Sequence, residues 1–281
     1  MRIGVALGSG AARGLAHIAY IEALDELGLK PSVIAGSSIG ALIGSGWANG
    51  MSGAELREHA YGVLGSLQQI AATLWTRNRP SLKGMLESGL SMQVNSLGIA
   101  GAFLPDGFPD DFAHLKVPFH VVATNFYSWS EVVFSEGPLR PAIAASMAIP
   151  SVFRPVALNG SYFLDGGVTN PLPLNLVAPH VDVTIGIDVH RTADPTIAVV
   201  EPSVLEAAIV SAEIMSERLV DATLFRHRPD VYVRAEVGPF RSQEFWRVRE
   251  IVENASAGKD RFKRAVSDAL LAHSLKAARR G

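Results

Sequence analysis

Residues 33–42 read Val33-Ile34-Ala35-Gly36-Ser37-Ser38-Ile39-Gly40-Ala41-Leu42. The stretch starts apolar and β-branched, passes a Gly-Ser turn, and enters a segment with Gly40, Gly44 and Ala48 four apart. That spacing predicts a strand over 32–35 and a helix over 40–48, with one helix face open to close backbone approach. Gly36-Ser37-Ser38-Ile39-Gly40 is therefore G-x-S-x-G between a strand and a helix, the pattern of a nucleophile elbow. A serine on so sharp a turn has strained backbone angles, and side chains two residues before and after it would crowd the turn. Glycine at 36 and 40 removes them. The helix that follows turns its N-terminal dipole on Ser38 and favours alkoxide character there. The plainer alternative is a Gly/Ser turn whose Ser38 only caps the helix.

Upstream stands a second glycine loop, Gly8-Ser9-Gly10-Ala11-Ala12-Arg13-Gly14, between an apolar strand at 3–7 and a helical pattern at 15–27. A dinucleotide-binding loop has this look, but it also needs an acidic residue about 20 residues further on, at the end of the second strand. Here that strand runs into Ala35-Gly36-Ser37-Ser38, with no acid to hold a ribose. The loop has a different use beside an elbow. Acyl transfer places negative charge on a former carbonyl oxygen, and fixed N–H donors aimed at it are each worth roughly 2.7–4 kcal/mol. The N–H groups near Gly10 and Ala11 are the expected donors.

Strand–helix–strand–helix order implies a parallel sheet covered by helices. Further strands are expected at 117–124 and 181–189, the latter almost continuously apolar, and shorter ones at 131–134 and 161–164. Further helices are expected at 139–147 and 203–225, and 240–281 reads as a C-terminal helical region. The uncharged stretch 31–54 is long enough for a bilayer, but its Gly and Ser content favours a buried strand–turn–helix. Residues 66–112 mix helical stretches with glycines, prolines and scattered Trp75, Met85, Leu90, Met92, Phe103 and Phe108. They form either a cap over an apolar site or an ordinary helical insertion. With no long linker and no repeat, 1–281 reads as one domain.

Composition narrows the function. The 281 residues are 48 % hydrophobic and 19 % charged, with net charge −2. A large core is expected and no nucleic-acid footprint. With no cysteine and 8 histidines in no ligand-like spacing, no metal site is expected. The few apolar residues before the first glycines are too short for a signal-peptide core.

A serine nucleophile needs a base. Asp165 follows a strand-like Tyr162-Phe163-Leu164 and precedes Gly166 and Gly167, which let the loop approach another backbone. The alternative is a D-G hairpin turn. Asp165, with an ordinary carboxylate pKa near ~3.9, is expected to act at pH values where an imidazole is already protonated. A histidine triad using Ser38, Asp165 and His190 also fits the chain order. Arg13 either holds a lipid phosphate or pairs with a carboxylate and fixes the loop. His17 reads as a satisfied, partly buried histidine. Ile149, Pro150 and Phe153 form either a wall of the acyl site or plain core. The basic terminal run 259–280 carries Phe262, Val266, Ala269 and Leu270 at helical spacing. It packs one face, or touches anionic membrane.

The segments 8–18, 36–42, 117–124, 145–156 and 165–173 together resemble the bacterial patatin-like phospholipases. The resemblance fades in 66–112 and after about 200. It implies an α/β fold, a three-layer α/β/α hydrolase with a mainly parallel central sheet. It implies a Ser38–Asp165 dyad, an oxyanion loop over Gly8, Ser9, Gly10, Ala11, Ala12, Arg13 and Gly14 with Arg13 supporting it, and no cofactor or metal. The expected substrate is a lipid or related carboxylic ester, with no nucleic-acid partner. An acyltransferase, and a non-enzymatic regulatory binding protein, remain as alternatives. The expected setting is cytoplasmic, with transient contact at the inner membrane surface left open. Four positions depart from the family pattern: Ser9 and Ala11 flank Gly10 where glycines are common, Ala144 replaces an Arg, and Asn125 replaces an Asp.

Overall fold

A computed structural model describes residues 1–66, 68, 100–101, 103–150, 152–191 and 201–279. Most of 66–112, where the cap or insertion was expected, lies outside the described residues, as do Trp75, Met85, Leu90 and Met92. In chain order the elements are β1 (Ile3–Leu7), α1 (His17–Glu26), β2 (Val33–Ser37), α2 (Ile39–Ala48) and α3 (Gly53–Leu64). Then come β3 (Phe119–Asn125), β4 (Ser130–Phe134), α4 (Leu139–Ser146), β5 (Val156–Leu158), β6 (Ser161–Asp165) and α5 (Leu174–Val177). The last are β7 (Val183–Asp188), α6 (Val204–Arg226), β8 (Val231–Arg234), α7 (Val248–Ser256) and α8 (Lys259–Ala278).

The eight strands among the described residues form one sheet. β3, β2, β1, β7 and β8 are parallel neighbours in that order. β4, β6 and β5 add antiparallel pairing at the β3 edge. β1 sits between β2 and β7, so the chain winds outward from it in both directions. The crevice at the carboxyl ends beside such a switch point is where ligands bind in open α/β sheets. Leu7 pairs with Gly36 on one side and Ile187 on the other, so the segments after β1, β2 and β7 leave the sheet at one level.

Alternation along the buried strands feeds two layers. Ile3, Val5 and Leu7 face a large core shared with α1, α2, α4 and α7. Ala6, Val33 and Ala35 face a smaller one with Leu172, Leu174, Val177 and Val220, under α5 and the C-terminal half of α6. The stretch 31–54 is the expected strand–turn–helix. No helix among the described residues is long and apolar enough to cross a membrane.

The helix expected over 15–27 begins later. Residues Ala11–Ala16 form a tighter 3-10 turn, and α1 starts at His17. α3 begins with a capping box in which Ser52 and Glu55 satisfy each other's backbone N–H. α8 packs the predicted Phe262 and Val266, with Phe262 edge-on to Tyr20 at 5.1 Å. Its Lys259 and Lys263 pair with Glu22 and Glu26 of α1. Those two basic side chains are engaged with the chain itself.

Candidate active site

Ser38 lies between β2 and α2 at φ 56°, ψ −122°. This conformation costs a non-glycine residue on the order of 1–3 kcal/mol. The flanking glycines make it sterically feasible. A Cβ on Gly36 would lie 2.5 Å from the Gly40 carbonyl oxygen, and one on Gly40 would lie 2.2 Å from that of Leu7. The Ser38 amide donates to Ser146 Oγ at 2.8 Å, which ties the turn to the end of α4.

The register of β3 brings Asp165 to this turn. One edge of β3 carries β4 from Val121 to Asn125. The other edge pairs with β2 up to Ser37–Val122, and then with β6 from Ala123–Asp165 onward. The ends of β2 and β6 thus meet on one edge, and Ser38 Oγ donates to Asp165 Oδ2 at 2.5 Å. Asp165 Oδ1 accepts the Gly167 amide at 2.7 Å, and its carbonyl accepts Thr124 Oγ1 at 2.9 Å. Gly166 is obligatory here, since its Cβ would sit 2.3 Å from the Val122 carbonyl oxygen.

Both side chains of this pair are buried, Ser38 4 % and Asp165 6 % exposed. Burial raises the Asp165 pKa to about 6, although hydrogen bonds from Ser38 and Gly167 pull the other way. The expectation of an ordinary carboxylate pKa fails for this reason. A carboxyl that titrates there cannot be told from an imidazole by pH alone.

The 8–14 loop passes over the D-G-G turn; a Cβ on Gly167 would lie 2.8 Å from Ser9 Oγ. The amides of Gly8, Ser9 and Ala12 are engaged by the carbonyls of Ile187, Pro171 and Ser242 at 3.0, 2.8 and 3.0 Å. Gly10 and Ala11 are left without such partners among the described residues. Ala11 stands at φ 50°, a left-handed position that glycine would take more easily. Gly10 packs so closely on β7's extension that a Cβ would lie 2.6 Å from Val189 Cγ2. Gly14 has no such freedom either, with Ile39 Cγ2 2.0 Å from where its Cβ would stand.

Two side chains fix this loop. His17 Nε2 donates to the Gly8 carbonyl at 2.9 Å. Burial lowers the His17 pKa to about 4, so the ring is neutral above that pH. Arg13 is 2 % exposed and pairs with Glu213 Oε1 at 2.9 Å, so of its two readings the loop-fixing one fits the geometry. Asn125 anchors the β3–β4 turn by accepting the Tyr127 and Ser128 amides at 2.9 and 3.0 Å.

His190 does not join Ser38. Its Nδ1 is 2.6 Å from Asp188 Oδ1 and its Nε2 2.8 Å from Ser216 Oγ. Asp188 also accepts from Tyr232 and Arg234 at 2.7 and 2.9 Å. Burial opposes its charge, yet these partners, His190 foremost, hold its pKa down at about 2. Both ring nitrogens of His190 are thus engaged away from the Ser38–Asp165 contact. Sequence reasoning missed Ser146, Thr124 and Glu213. Ser146 stood within a motif already singled out, whereas nothing in the local pattern marked Glu213. Among the described residues no cluster of three or more His, Asp or Glu is placed to hold a metal.

A family model described as patatin-like phospholipase matches residues 5–178. An uncharacterised NTE family protein of Mycobacterium bovis is 34 % identical over 206 residues, which cover 72 % of this chain and 53 % of that one. Lysophospholipase NTE1 of Saccharomyces cerevisiae is 29 % identical over 195 residues, 69 % of this chain and 11 % of its own. Among solved structures, VipD from Legionella pneumophila aligns over 94 % of this chain and 67 % of its own, at 16 % identity and a TM-score of 0.46. The chain spans about half the length of the mycobacterial relative, 53 %, and far less of the yeast one.

Proposed function

This chain belongs to the patatin-like phospholipase family, and on that premise we propose that it is a serine acyl hydrolase acting on lipid carboxylic esters. The observation that carries this reading is the buried 2.5 Å contact between Ser38 Oγ and Asp165 Oδ2 on a strained strand-to-helix turn. Ser38 Oγ attacks the ester carbonyl carbon while Asp165 takes its proton. The carbonyl oxygen becomes an oxyanion held by the Gly10 and Ala11 amides, with the α2 dipole behind Ser38. Collapse breaks the ester C–O bond, and the leaving alkoxide takes the proton from Asp165. Water, deprotonated by the same carboxylate, attacks the acyl-Ser38, and the regenerated serine hydroxyl and free fatty acid complete the cycle.

One surface feature supports a lipid substrate. Near the site, β3 runs past Asp165 into a turn that exposes Tyr127 at 70 % and Trp129 at 86 %. Aromatic residues with a polar handle suit the headgroup level of a bilayer, which supports transient contact with a lipid surface. Yeast NTE1 is named a lysophospholipase, so a lysophospholipid is the first substrate to assay, beside a short soluble ester. Fatty acid release by the unsubstituted protein, lost in Ser38→Ala, is the expected result. No release from either substrate would contradict the reading.

A further inference from the structure

Residues beyond the family match reach back to the oxyanion loop through one partly buried ion pair. Arg13 Nη2 lies 2.9 Å from Glu213 Oε1 on α6, and Arg13 Nη1 donates to the Phe240 carbonyl and to Ser242 Oγ, each at 3.3 Å. Ser242 Oγ in turn donates to the same Glu213 oxygen, and the Ser242 carbonyl accepts the Ala12 amide at 3.0 Å. Arg191 Nε adds a weaker contact to Glu213 Oε2 at 3.5 Å. Glu213, Ser216 and Glu217 stand at i, i+3 and i+4 and so share one face of α6. Their partners are Arg13, His190 and Arg234.

The packing makes this polar face decisive. The C-terminal half of α6 buries Val220 in the smaller core. Around the tether, Ile214 and Met215 are exposed at 53 % and 61 %. Around Glu213, Ser216 and Glu217, charge and hydrogen bonds tie the helix to Arg13, His190 and Arg234. Burial works against ionisation of Glu213, yet Arg13 and Ser242 hold its pKa below the usual carboxylate value. Arg13 precedes Gly14 and closely follows the two amides assigned to the oxyanion, and its anchored guanidinium, with the Ala12–Ser242 backbone bond, ties this stretch to α6.

Building on the acyl-hydrolase reading, we infer that Glu213 is a positioning residue for the reaction: through Arg13 it holds the Gly10 and Ala11 amides where the oxyanion forms. It touches no substrate and acts on the barrier through loop geometry alone. Loss of the tether therefore lowers kcat and leaves substrate binding nearly intact. Small misplacements of catalytic groups cost up to about a hundredfold in rate.

The test compares the unsubstituted protein with Glu213→Gln, Glu213→Ala, Arg13→Gln and the Arg13→Gln/Glu213→Gln double variant. The readouts are kcat and KM on a soluble short ester, thermal unfolding, and amide hydrogen exchange resolved to residues 8–14. Expected is a kcat loss of about tenfold to a hundredfold in Glu213→Ala, smaller in Glu213→Gln, with KM nearly unchanged. Exchange should rise at 8–14 well above any rise elsewhere, and the double variant should lose no more than Arg13→Gln alone. Unchanged kcat in both Glu213 variants, a uniform rise in exchange, or additive losses would overturn the inference. If the unsubstituted protein hydrolyses no ester, the functional reading fails. The exchange arm then decides the tether by itself, and unchanged protection at 8–14 in the Glu213 variants overturns it.

Discussion

Ser37 and Asp165 occupy consecutive places along one edge of β3, paired with Val122 and Ala123 in turn. Two strands of opposite direction end against each other there, and the residue after Ser37 meets the carboxylate at the end of β6. The proposed dyad needs no long side chain to bridge the gap. Both members are short, and backbone hydrogen bonding sets their separation.

Neighbouring serines separate chemistry from packing. Ser38→Ala should cost roughly a thousandfold or more in ester hydrolysis, with the fold intact. Ser37 Oγ is buried without a hydrogen-bond partner among the described residues, so Ser37→Ala removes little and should cost far less. Steady-state rates and thermal unfolding of the two variants check this, and the reverse ranking would remove Ser38 from its role.

Asp165 should trade stability for activity. Its folded pKa is raised from 3.8 to about 6. A raised carboxyl pKa stabilises the fold below the unfolded value, and that contribution disappears as pH rises through about 6. At pH 7 the buried charge is a net cost, bounded by ~3 kcal/mol at about 1.4 kcal/mol per unit. Asp165→Asn should therefore abolish hydrolysis yet raise the unfolding temperature at pH 7, with the gain shrinking toward pH 4. Activity of the unsubstituted protein should fall as pH drops through about 6. A stability gain in Asp165→Asn that is the same at both pH values would contradict the burial argument.

Ser146 should matter through the Ser38 amide. It supplies the 2.8 Å acceptor for that N–H. Ser146→Ala leaves a buried donor unpaired, at a cost of ~1–3 kcal/mol. Chemical denaturation should register that loss together with a lower kcat. An unchanged midpoint would show that the amide finds another partner.

His190 should be dispensable for the chemistry. Because Asp165 titrates near 6, a pH profile cannot separate a dyad from a histidine triad, and substitution must. His190→Asn keeps a polar group beside Asp188 and should retain most activity. A folded, inactive His190→Asn would support the triad instead.

The central architecture was legible because it rests on local signals. Gly36, Ser38 and Gly40 mark the elbow, and the apolar runs at β1, β2 and β7 mark buried parallel strands. The short strands β5 and β8 were missed because three or four residues carry too little pattern. The predicted strands at 131–134 and 161–164 appear, at Ser130–Phe134 and Ser161–Asp165. Their antiparallel pairing was invisible, since direction depends on register with β3. The Ser52–Glu55 capping box that opens α3 is a sequence signal in its own right, Ser followed three residues later by Glu. Glu213 lay beyond reach for a different reason. Its partner is 200 residues away, and neither burial nor pairing at that separation leaves a periodic trace. The Asp165 pKa was misjudged on the same ground, because desolvation belongs to the folded core.

The most direct test of the account is the site of covalent labelling by a fluorophosphonate, mapped by mass spectrometry on the unsubstituted protein, Ser38→Ala and Asp165→Asn. The account predicts one adduct on Ser38, none in Ser38→Ala, and strongly slowed labelling in Asp165→Asn. An unlabelled native protein, or an adduct that persists on another serine when Ser38 is gone, would contradict it.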